Sequence, residues 1–109
     1  MILKEKLVII YKNNIIFSPS FSEEFKQIIK DVSKISIPLS QKIISEFYSK
    51  LFYLKIYPKM YPIIKSISDR QVRKIVIQKY VILYFYEKNQ ICILNMFSQK
   101  VNYYNLIKI

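Results

Sequence analysis

Residues 79–97 read KYVILYFYEKNQICILNMF, two apolar runs joined by the four polar residues EKNQ. By the two-residue period of a strand, Tyr80, Ile82, Tyr84 and Tyr86 share one face while Val81, Leu83 and Phe85 share the other. Both faces are apolar, so this strand is expected inside a sheet and covered on both sides. The connection is too short for anything but an antiparallel neighbour, which makes residues 91–97 the next strand.

Working outward, Ile63–Ile67 and Val72–Ile77 are further β-rich runs, separated by SDRQ, with QK leading into the hairpin. Upstream, YPKMYP at 57–62 ends any helix twice, because each proline lacks an amide donor and restricts the residue before it. Before that lie two helical patterns. Phe21, Phe25, Ile28, Ile29 and Val32 paint one face, with Ser20 and Glu23 in capping-box spacing and the end expected near Ser33 or Lys34. From about Leu39, Ile43, Ile44, Phe47, Leu51 and Leu54 face one way, while Lys42, Glu46, Lys50 and Lys55 face the other. Phe47, Tyr48 and Phe52 read as core or near-core, although an exposed aromatic edge on the helix hairpin could serve partner binding. Further back, Leu7–Tyr11 and Ile15–Phe17 flank the turn KNN. The sum is an α+β domain: an N-terminal strand, an antiparallel helix hairpin, then a C-terminal antiparallel meander of about four strands, with the helices on one sheet face. The opposite face must be shielded by the C-terminal tail or by a partner.

At 109 residues the chain is expected to form one domain, with residues 1–12 an extension or an extra edge strand. No repeat or low-complexity segment interrupts it. The chain has no Gly, which excludes a Gly-rich phosphate loop and throws its turns onto Asn, Asp, Ser and Pro. It has no His and one Cys, Cys92, which removes disulfides, the usual metal centres and imidazole catalysis; no cofactor or metal is expected. Cys92 lies in an apolar run and reads as a small hydrophobe. The apolar run near the start is too short for a signal-peptide core or a membrane span, so a cytoplasmic protein without a membrane partner is expected.

The formal charge is +11, and residues 59–109 carry nine of the bases against Asp69 and Glu87. A polyanionic partner, nucleic acid or an acidic protein segment, suits this excess. Arg73, Lys74 and Lys79 sit in or beside adjacent strands and could form a phosphate-binding patch with Lys100; ordinary strand-edge charges are the alternative. Arg70 falls in a turn. Tyr103 and Tyr104 could stack on a base or donate a proton, or simply cover the sheet. The carboxylates form no catalytic pair: Glu23 and Glu24 suit a helix start, and Glu46 a solvent face.

In order and spacing, FSPSFSEEFKQI, LFYLKIYPKMYPII and VRKIVIQKYVILYFYEKNQICILNMFSQKVNYYNL together resemble the RelE/ParE superfamily of bacterial type II toxins, over about residues 13–105. The shared features are a first strand ending in a Ser-Pro helix start, a helix hairpin, a Pro-containing link and a meander with a Tyr-x-x-x-Tyr strand, here Tyr80 and Tyr84. The resemblance implies a small basic toxin held inactive in a hetero-oligomer by a cognate antitoxin, acidic and partly disordered. RelE-like members are ribosome-dependent mRNA endoribonucleases; ParE-like members bind and poison DNA gyrase. RelE-like nucleases commonly carry a catalytic Arg after the first Tyr of that strand, and Val81 stands there instead. A nuclease would have to draw on Arg73, Lys79, Lys100, Tyr103 and Tyr104, whereas target or nucleic-acid binding would use Arg70, Arg73, Lys74, Lys79, Lys100 and Tyr103. The tail, with Lys100, Asn102 and Tyr103, is similar to ParE-like tails. A gyrase-directed toxin is the expectation, with an mRNA endoribonuclease and a degenerate, inactive relative as the alternatives.

Overall fold

The computed structural model describes residues 13–107, and the expected strand at Leu7–Tyr11 lies outside them. The run that decides the fold is strand β4 (Tyr80–Glu87), paired antiparallel with β5 (Gln90–Ser98) on one side and β3 (Arg70–Ile77) on the other. Adding β2 (Ile63–Ile67) and β1 (Asn14–Phe17) gives a five-stranded sheet in the order β1-β5-β4-β3-β2. Strand β1 runs parallel to β5, in the register Asn14↔Gln90 to Phe17↔Ile93. A parallel neighbour needs a long connection, and the two helices followed by β2, β3 and β4 supply it.

The alternation read from residues 80–86 is what the fold buries. Ile82 and Tyr84 belong to the cluster beneath the helices, with Tyr80 and Tyr86 packed against it. Val81 and Leu83 belong to a second cluster on the other face, with Val72 and Ile107. The tail is therefore the cover of the second face: Tyr103 stacks on Phe97 at 6.2 Å, Ile107 is buried, and Lys65 Nζ donates to the Tyr104 carbonyl at 3.2 Å.

Helix α1 (Pro19–Ile35) has its cap two residues before the expected one. Ser18, not Ser20, is the N-cap: its Oγ accepts from Phe21 N at 3.0 Å, and Pro19 suits the first helical turn, where no amide donor is needed. Ser36 alone separates α1 from α2 (Ile37–Ile56). Its amide donates to Val32 O at 2.8 Å and its Oγ accepts from Leu39 N at 3.2 Å, so one residue closes the first helix and starts the second. Phe21 and Phe25 meet Phe47 at ring distances of 5.5 and 4.9 Å, which folds the helices back as a hairpin. Ile43, Phe47, Leu51 and Leu54 are the buried face of α2. Tyr48 and Phe52 are exposed rather than core, because they project from the side of α2 away from Ile43 and Leu54.

The turns show what a chain without glycine does. Ser68 and Asp69, and Lys88 and Asn89, all have positive φ (49°, 66°, 51° and 61°), as a two-residue type I′ turn requires. Gln78 does the same at 54°. Lys and Gln thus occupy left-handed positions that Gly, Asn or Asp would fill more cheaply.

Candidate target-binding surface

The expected basic patch is split by the fold. Residues 73 and 74 are neighbours in β3, so they point to opposite faces: Arg73 toward the helix side with Ile75, Lys74 toward the tail side with Val72. Arg73 is occupied by main chain. Its Nη1 donates to the carbonyls of Lys59 at 3.0 Å and Tyr61 at 2.6 Å. Tyr84, its register partner, donates through its hydroxyl to Pro58 O at 2.8 Å. Together they strap the link between α2 and β2 onto the sheet.

Arg70 sits at the end of β3, forked onto Glu87 at 3.2 and 3.3 Å and lying 4.7 Å from the centre of the Phe85 ring. Lys79 and Lys100 are both exposed and belong to the same end of the sheet, where Gln99 N donates to Lys79 O at 2.8 Å. Lys74 lies half-buried along β3, opposite Leu83. Tyr103 is spent on its stack with Phe97. Tyr104 is half-exposed, with Lys65 Nζ 4.5 Å over its ring. Of the expected residues, Lys79 and Lys100 lie exposed on neighbouring main chain at one end of the sheet, while Arg70, Arg73 and Tyr103 are each engaged elsewhere.

Val81 is 2% exposed, opposite Val76 and Phe97, in the cluster that Ile107 and Tyr103 close. A guanidinium at this position would have to displace the tail or stay buried without a partner. Two of the sequence's carboxylates, Glu24 and Glu46, are also occupied. Glu24 accepts from Met96 N and Asn95 Nδ2, both at 3.1 Å, tying α1 to β5 beyond the reach of β1. Glu46 pairs with Lys50 at 3.5 Å and accepts from Gln78 at 3.0 Å. Among the described residues no group of His, Cys, Asp and Glu could hold a metal ion.

Ionisation follows burial rather than catalysis. Burial pushes the Tyr84 hydroxyl up from 10.0 to about 12, against a smaller opposing effect of Arg73. Burial also raises Tyr61 and Cys92, helped by Glu46 and Glu87 respectively. Cys92 is half-buried, less enclosed than its apolar run suggests.

Sequence reasoning missed the side chains that act on main chain. Ser18 Oγ donates to Leu94 O at 2.6 Å, at the one position where β5 carries an extra residue against β4. The Ser-Pro pair at 18–19 was the available signal for it. The link itself, Tyr57–Pro62, presents Tyr57 and Met60 to solvent. It lines a shallow groove of about 530 Å³ with Ile56 and Tyr86.

A comparison with curated proteins finds no match. A family model described as ParE toxin of type II toxin-antitoxin system, parDE, matches residues 15–103. That span takes in the sheet from β1 to β5, both helices and the start of the tail. The chain belongs to the ParE toxin family of type II toxin-antitoxin systems.

Proposed function

We propose that the chain is a toxin of the gyrase-poisoning kind. It acts in the cytoplasm by binding its target protein, and an acidic, partly disordered cognate antitoxin neutralises it. The observation that carries this reading is Val81, buried at 2% exposure where a related nuclease would present Arg. The chain has no His, and Glu24 and Glu46 are each held in hydrogen bonds or an ion pair, which suits binding better than acid–base chemistry. An acidic antitoxin suits the charge of +11, because long-range attraction speeds the encounter of opposite charges. No helix among the described residues is long and apolar enough to cross a membrane.

The exposure of Lys79 and Lys100 at one end of the sheet favours the second reading, cleavage of ribosome-bound mRNA, since exposed cations could attract a phosphate. Inducing the protein in cells and mapping DNA breaks alongside mRNA ends separates the two. Gyrase-linked DNA breaks are expected. Codon-spaced mRNA ends without DNA breaks would replace the first reading by the second.

A further inference from the structure

The link Tyr57–Pro62 is built in a way the fold alone does not demand. It carries apolar side chains outward: Tyr57 is 60% exposed and Met60 49%. Yet its backbone is held at nearly every residue. Tyr57 N donates to Tyr53 O and Met60 N to Tyr57 O. The carbonyl of Pro58 takes the Tyr84 hydroxyl, those of Lys59 and Tyr61 take Arg73, and that of Pro62 takes Lys74 N. Pro58 and Pro62 fix two further φ angles.

We infer that this link is a preformed binding knob, whose Tyr57 and Met60 enter an apolar socket with an acidic rim on the protein that the toxin poisons. The inference rests on the reading above that the toxin acts by binding a protein. Five of the link's carbonyls are consumed internally, so the main chain is poorly placed to recruit a partner strand, and recognition falls to side chains. Exposed aromatic and thioether groups on a rigid support are the arrangement that gives binding hot spots, because little ordering entropy remains to be lost on association. Lys59, between Tyr57 and Met60 in the link, is exposed on a chain of net charge +11, which suits a socket rimmed by carboxylates. Nucleic acid fits less well: a base could stack on Tyr57, but Met60 and the exposed Ile63 beside it offer nothing to phosphate.

The test uses the full chain and the variants Tyr57→Ser, Met60→Ser and Lys59→Glu, with melting temperature, self-association, growth arrest on induction and inhibition of purified DNA gyrase as readouts. The expected result is an unchanged melting temperature, a monomeric wild type at assay concentration, and about tenfold or greater loss of growth-arrest potency for Tyr57→Ser and Met60→Ser, the scale of a hot-spot truncation. Lys59→Glu is expected to weaken arrest as well. If the folded Tyr57→Ser, Met60→Ser double variant arrests growth at the wild-type inducer level, the knob is not the binding element. Self-association that these variants abolish would make the link an interface between copies and would also overturn it. A wild type that arrests growth without inhibiting gyrase removes gyrase as the target, and the variants' growth arrest then still decides the knob. A wild type that arrests no growth removes both.

Discussion

The Ser18 hydroxyl joins two parts of the chain far apart in sequence: it caps α1 by accepting from Phe21 N, and it donates at 2.6 Å to the carbonyl of Leu94, the extra residue of β5. Helix start and strand bulge are thus one structure. Replacing Ser18 by Ala removes the cap and leaves the Leu94 carbonyl without that donor. A loss of about 2 kcal/mol is expected from a cap of about 1 kcal/mol and an unmet polar group of similar size. Urea unfolding of the variant checks it, with the midpoint falling and the slope unchanged.

The Lys88-Asn89 turn holds two non-glycine residues at positive φ. The double change Lys88→Asn, Asn89→Gly installs the preferred type I′ pair and is expected to add about 1 kcal/mol of stability. Thermal melting should rise by a few degrees, roughly 4 to 8 °C per kcal/mol for a domain of this size.

Tyr84 predicts a fall in stability at high pH. Folding raises its pKa from 10.0 to about 12, so the folded state holds the proton more tightly than the unfolded chain. The contribution is fully present below pH 10 and is lost as the pH climbs from 10 toward 12; a shift of this size corresponds to about 2 to 3 kcal/mol. Tyr84→Phe should flatten the stability profile over that window. At neutral pH it should cost about 1 kcal/mol for the lost bond to Pro58 O. Chemical unfolding of both proteins from pH 9 to 12, by approximate half-unit steps, measures the difference.

Val81→Arg tests whether a nuclease can be restored by sequence alone. The position is buried between β3, β5 and the tail, so the charge would be desolvated without a partner or the tail would lift. Destabilisation by several kcal/mol is expected. The variant should melt well below the parent and should show no mRNA cleavage.

Much of the architecture was legible because it rests on periodicity. Tyr80, Ile82, Tyr84 and Tyr86 separate from Val81 and Leu83 as their alternation requires, and Phe21, Phe25, Ile28, Ile29 and Val32 all pack against the core on one side of α1. The face away from the helices is covered by the tail, one of the two covers its apolarity demanded. Helix starts were less legible, since Ser20 with Glu23 and Ser18 with Pro19 are both good local signals, and only the contact with Leu94 favours Ser18. The fate of Arg73 had no signal at all. Its partners are the carbonyls of Lys59 and Tyr61, and a carbonyl is the same whatever residue bears it. The exposure of Tyr48 and Phe52 was hidden for a related reason: a helical face is visible in sequence, but the angle at which the sheet meets it is not.

The pairing of Asn14–Phe17 with Gln90–Ile93 sets the order of synthesis against the order of assembly. The first described strand to leave the ribosome has no sheet to join until the last strand has been made. The hairpin of helices and the three tight β-turns can form from local contacts in the meantime, while β1 waits on a contact some 76 residues away. Nascent and misassembled chains would therefore differ from the finished toxin at β1, whose pairing cannot close before the last described strand exists.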